Sequence, residues 1–135
     1  MINDIVLNKT QVIKRCINRI NEEYRNNPEN LQYYTKQDSI ILNLLRACEA
    51  SIDLAMHFVA EKNLGLPQSS RQAFELLQQN NIIEQDLADR LKAMVGFRNI
   101  AVHDYQSINL GILQKVIENH LQDFEHFTNR LIKIK

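Results

Sequence analysis

Glycine and proline are scarce in this sequence, with 3 and 2 among 135 residues, and tryptophan is absent. So few chain breakers argue against a fold of many short strands and tight turns, and they predict a small number of long elements. The two cysteines, Cys16 and Cys48, are too few for a disulfide framework and show no paired spacing for zinc. Both fall inside apolar helical patterns, where they read as buried reduced thiols. No apolar run reaches the roughly 18 residues that a membrane-spanning helix requires. The opening Met1-Ile2-Asn3-Asp4 lacks the basic segment and cleavage site of a secretory leader. These absences lead us to expect a cytoplasmic protein. Charge of one sign is missing too, since 16 Lys and Arg balance 16 Asp and Glu. That balance gives no support to a uniformly basic nucleic-acid-binding surface, but it leaves open a local basic cleft, especially one built by pairing two chains.

What is present is helical periodicity. The length predicts one domain, residues 1–135, large enough to bury a core without disulfides or metal. Ile2, Ile5, Val6, Ile13, Cys16, Ile17, Ile20 and Tyr24 recur at helical spacing and predict a first helix over about 3–26, ended by Asn26-Asn27-Pro28. Thr35-Lys36-Gln37-Asp38 resembles a capping box with Asp in place of Glu. It opens a second, central helix that runs to about Leu64, with Gly65 as a left-handed stop. Ser69 and Ser70 offer caps for a short helix over about 71–79, and Asn80-Asn81 breaks it. A fourth helix is expected over 83–96, and a final one from about Asn109 to the C-terminus. The fold class predicted is all-α, an up-and-down bundle of four main helices and one short one.

On the central helix Arg46, Glu49, Asp53 and His57 fall at spacings of three and four and form one polar stripe. Three readings stand: a solvated ladder of ion pairs, one wall of a functional cleft, or a metal site from Glu49, Asp53 and His57. No second cluster completes a metal shell, which counts against the last. Of the other histidines, His120 lies on an apolar stripe and reads as a core residue, and His126 falls on a polar face.

The stretch richest in chemistry is Arg98-Asn99-Ile100-Ala101-Val102-His103-Asp104-Tyr105. In a continuous helix Arg98 and His103 point about 140° apart, whereas Asn99 and His103 share a face. Either the helix ends within the motif, or the arginine reaches round, or a second chain brings its own Arg98 to His103. Against RNA, His103 suits general acid–base work on the 2′-hydroxyl and the leaving oxygen. Arg98 suits the charge of the phosphorane transition state, and Asn99 can orient the imidazole or the phosphate. No metal is needed, and DNA, which lacks the 2′-hydroxyl, is not a substrate. On chemistry alone, a structural Arg–Asp or His–Asp contact at a helix end remains the simpler account, with Asp104 facing water.

The Arg-x4-His-x-Tyr motif, set within Met94-Val95-Gly96-Phe97-Arg98-Asn99, resembles the signature of HepT-type toxins, small helical HEPN-domain ribonucleases encoded beside MntA-type nucleotidyltransferase antitoxins. The likeness extends to Leu66-Pro67-Gln68-Ser69-Ser70-Arg71-Gln72-Ala73-Phe74, similar to the family's Leu-Pro-x-Ser-x-Arg-x-x-Phe. It also covers Leu87-Ala88-Asp89-Arg90-Leu91-Lys92-Ala93, the run into the motif. The resemblance implies a HEPN-like bundle and the toxin of a type VII-like toxin–antitoxin pair, with Arg98 and His103 catalytic, Asn99 supporting and no cofactor. It implies that a partner nucleotidyltransferase attaches AMP from ATP to Tyr105. It further implies a homodimer that concentrates Arg98 and Lys92 at one cleft, and an RNA substrate, transfer or messenger; helical spacing separately offers Arg46, Glu49 and Asp53 as candidate lining of that cleft. The alternative is a non-catalytic HEPN binding module that carries or stabilises a nucleotidyltransferase.

Overall fold

The computed structural model describes residues 4–134, so Ile2 and the expected helix start at residue 3 lie outside the described residues. Six helices follow in order: α1 (Asp4–Tyr24), α2 (Tyr34–Glu61), α3 (Ser70–Gln79), α4 (Gln85–His103), α5 (Leu110–Asn119) and α6 (Leu121–Ile134). Single 3-10 turns lie at Pro28–Gln32 and Tyr105–Ser107, and no strand occurs among the described residues.

The bundle is all-α as the periodicity predicts, and α2 is its axis. With 28 residues it is about 42 Å long. It packs most extensively on α1 and also touches α3, α4 and α6. Ile13 and Ile20 of α1, Leu44 and Leu54 of α2, Phe74 of α3 and Phe124 and Phe127 of α6 are fully buried in one continuous core. Phe74 meets Phe127 edge to face, with centroids 5.6 Å apart.

The helix ends differ from the sequence expectation in four places. The capping box at Thr35 does not form, because α2 already starts at Tyr34 with Tyr33 as its cap. Asp38 is thereby released from capping, and its carboxylate turns outward. At the other end Asn63, with φ 55°, takes the first left-handed position after α2, and Gly65, at φ 141°, follows two residues later. Asn63 N–H donates to Ala60 O and Leu64 N–H to Val59 O, which closes the carbonyls of the last turn.

The fourth helix does not stop at Gly96 but continues to His103, closed by Asp104 N–H on Ile100 O at 2.8 Å. Gly96 serves packing instead: a Cβ there would stand 3.1 Å from the Arg71 guanidinium of α3. The last helix is two helices, broken at His120. The buried carboxylate of Asp123 gathers His120 Nδ1 at 3.2 Å and Arg90 Nε at 3.0 Å, and so ties the α5–α6 corner to α4. His120 is therefore a half-exposed corner residue paired with Asp123, not part of the apolar core.

Candidate functional site

Arg98, Asn99 and His103 occupy the last two turns of α4, and Tyr105 opens the 3-10 turn behind it. Since the helix holds through the motif, its register decides where each group points. Asn99 and His103 share a face, while Arg98 diverges from His103 by about 140°.

Arg98 is half-buried and reaches toward α3, where its Nη2 donates to Ser70 Oγ at 3.2 Å. Its Nε is buried without an acceptor, an orphan donor on a permanently charged group. The guanidinium also acts on Cys48 of α2. Burial pushes that thiol up to about 12, and the Arg98 charge pulls against the rise. His103 and Asp104 are exposed at the helix end. Asp104 accepts from Ser107 Oγ, which braces the turn that carries Tyr105.

Tyr105 points in a third direction. Its hydroxyl donates to Asp38 Oδ1 in the first turns of α2, and the residue is 41% exposed. Desolvation, followed by the hydrogen bond and charge of Asp38, pushes the phenol up to about 12. The pair borders an open cleft of about 410 Å³ whose apolar wall is Ile41, Leu42, Leu45 and Ala101. Around His103 the outer face of α4 stays apolar, with Ile100 44% and Val102 48% exposed.

The polar stripe of α2 makes its ion pairs with α1 and within α2, and Glu49 shares with Arg98 an influence on the Cys48 thiol. Asp53 pairs with Lys9 of α1 at 3.0 Å, and His57 Nε2 lies 3.3 Å from Glu61. Arg46 acts on Cys16 of α1, where burial raises the thiol and Arg46 and Arg15 oppose the rise. Glu49 is exposed. Within one chain the ion pairs of this stripe run to α1 and along α2, whereas the hydrogen bond of Arg98 runs to Ser70 of α3. Lys92 is shared between Glu75 and Asp89 at 3.7 and 3.5 Å. Among the described residues no group of three or more His, Cys, Asp or Glu side chains is placed to hold a metal ion.

Three residues at this site were not singled out by the sequence reading. Ser70, read only as a cap candidate, holds Arg98. Arg71 lays a second guanidinium over Gly96, two residues before Arg98. Asp38, read as part of a cap, holds the Tyr105 phenol across 67 residues of chain. Arg71 did stand in the sequence as the arginine of the Leu-Pro-x-Ser-x-Arg-x-x-Phe segment, but its place beside Gly96 of α4 is visible only in the fold.

The chain resembles known proteins over nearly its whole length. The chain is 57% identical to the mRNA nuclease HepT of Shewanella oneidensis over 93% of its length and 94% of the relative's. It is 54% identical, with a TM-score of 0.93, to a solved tri-AMPylated Shewanella oneidensis HEPN toxin in complex with MNT antitoxin, covering 98% of this chain and 99% of that one. A solved MntA toxin–antitoxin complex bearing a tyrosine-to-alanine substitution matches at 52% identity and TM-score 0.91, over 96% and 99% of the two chains. The ribonuclease HepT-like family model matches residues 13–131. The chain belongs to the ribonuclease HepT-like family.

Proposed function

We propose that this chain is a toxin ribonuclease that cleaves messenger RNA and is neutralised when a nucleotidyltransferase antitoxin attaches AMP to Tyr105. The observation that carries the reading is the 57% identity to an mRNA nuclease over nearly both full lengths. A HEPN toxin of the same fold is tri-AMPylated and bound to its antitoxin.

In this reading His103, exposed at the end of α4, moves the proton of the 2′-hydroxyl and of the leaving oxygen. Arg98 stabilises the transition-state phosphate, and Asn99, one turn before His103, orients the imidazole or the phosphate. The products are a 2′,3′-cyclic phosphate and a 5′-hydroxyl. These side chains supply acid, base and charge without a metal ion. DNA is spared because it lacks the attacking group.

Arg98 and His103 diverge on one helix, so a single chain does not present them together. A homodimer resolves this if two α4 ends meet through the exposed Ile100 and Val102 beside His103. Each His103 then meets the partner copy's arginine in one cleft, and the zero net charge of the chain ceases to be an obstacle. AMP on Tyr105, two residues from His103, adds phosphate charge and bulk at that cleft and competes with RNA for Arg98. In this reading the protein works in the cytoplasm, where RNA and ATP, its reactants, are found.

The test is RNA cleavage by unmodified protein in EDTA beside His103→Ala and Arg98→Ala, with product ends identified. Loss of about 10²–10⁴-fold in either variant is expected from removal of an acid–base or charge-stabilising group. Absence of cutting by protein shown unmodified by intact mass leaves the non-catalytic binding module as the reading.

A further inference from the structure

Tyr105 is not a free surface phenol. Its hydroxyl donates to the Asp38 carboxylate, 67 residues away on α2, and the pair lies at the mouth of an open cleft. A tyrosine hydroxyl is a poor nucleophile while protonated, and the environment here disfavours loss of its proton to solvent. Direct attack on a phosphate therefore needs a base that takes the proton as the new bond forms. The geometry meets that need within the acceptor chain itself. We propose that Asp38 is the general base for AMP transfer to Tyr105, so that the toxin supplies a catalytic residue for its own neutralisation. This rests on the reading of Tyr105 as the modified residue.

The step balances as follows. The Tyr105 hydroxyl proton passes to Asp38, and Tyr105 Oη bonds to the α-phosphorus of ATP. The bond from that phosphorus to the bridging oxygen breaks, and pyrophosphate leaves. Three features suit Asp38 to this work. Its hydrogen bond fixes the phenol oxygen before ATP arrives. Its exposure lets the acquired proton escape to water. Its position on α2, apart from the 3-10 turn, separates the base from the ribonuclease residues of α4. After transfer the oxygen has no proton to donate, and the new phosphodiester and the carboxylate repel. The modified side chain then leaves its seat on α2, and the reverse reaction loses its starting geometry.

The role is confined to the first AMP. A tyrosine oxygen in a phosphodiester cannot attack again, so any later AMP joins another oxygen that Asp38 does not hold. The experiment uses the full chain, ATP, Mg²⁺ and the Shewanella MNT antitoxin, with each addition followed by intact mass. Asp38→Asn keeps shape and hydrogen-bonding capacity but not the base, Asp38→Glu restores the base, and thermal melting checks that both are folded. We expect Asp38→Asn to slow the first addition about 100-fold through kcat with KM unchanged, and Asp38→Glu to recover most of it. Once singly modified by long incubation, Asp38→Asn should accept further AMP at the wild-type rate. A first addition as fast as wild type, or faster, overturns the inference and makes Asp38 a tether or a brake. Equal slowing of every addition overturns it too, because that marks a docking surface. A wild-type chain that takes no AMP overturns the functional reading beneath it.

Discussion

Arg98 and His103 lie five residues apart on α4 and face directions that differ by about 140°, one held toward α3 by Ser70 and the other open at the helix end. In the proposed reaction these two groups are halves of one site that do not converge within the chain.

That divergence predicts complementation. Arg98→Ala and His103→Ala chains, each inactive alone, should regain about a quarter of wild-type cleavage when unfolded and refolded together, because half the dimers are mixed and each mixed dimer holds one intact site. Cleavage assays on the refolded mixture check this. No recovery would place both residues of each site in the same chain.

Ser70 holds the Arg98 guanidinium through its hydroxyl. Ser70→Ala removes one hydrogen bond from a guanidinium that already has an unpaired Nε. A loss of about 3–10-fold in kcat/KM is expected, in line with the net worth of a single hydrogen bond. Arg98→Lys should lose far more, since an ammonium cannot reproduce the fork that binds Ser70 and phosphate together.

Asp123 is 2% exposed and held by Arg90 and His120. Arg90→Ala should cost about 3 kcal/mol of stability in urea unfolding, at the low end for orphaning a buried charge because His120 stays in place. Asp123→Asn should cost less, since the charge goes with the partner.

Alkaline pH should weaken the fold through its tyrosines. Tyr24 is buried and donates to Glu118 of α5, and desolvation, with that carboxylate adding to it, pushes its hydroxyl from 10.0 up to about 12. A folded-state pKa above the unfolded one stabilises fully below pH 10 and loses that contribution as pH rises through about 12. Tyr105 acts in the same direction, less strongly because of its exposure. Melting temperature should therefore fall from pH 10 to 12, and Tyr24→Phe should flatten the fall.

The sequence by itself determined the all-helical class and the groups of the candidate site. Apolar periodicity sets which face of each helix is buried, and α1 and α3 end where Asn26 and Asn81 take left-handed backbone, at φ 53° and 60°, a local preference that needs no tertiary context. Arg98, Asn99, His103 and Tyr105 were legible as a group because their spacing is local. Several matters were decided only by the tertiary structure, for one physical reason: each depends on a partner far away in the chain. Gly96 lies inside α4 rather than at its end, with the Arg71 guanidinium of α3 close above it. His120 breaks a continuous apolar stripe because Asp123, buried against Arg90, draws it to the corner. Asp38 turns from an apparent helix cap into the acceptor of the Tyr105 hydroxyl, and Ser70 into the anchor of Arg98. Spacing along the chain names the groups that can do chemistry; only the packing of α2 and α3 against the end of α4 decides which of them touch.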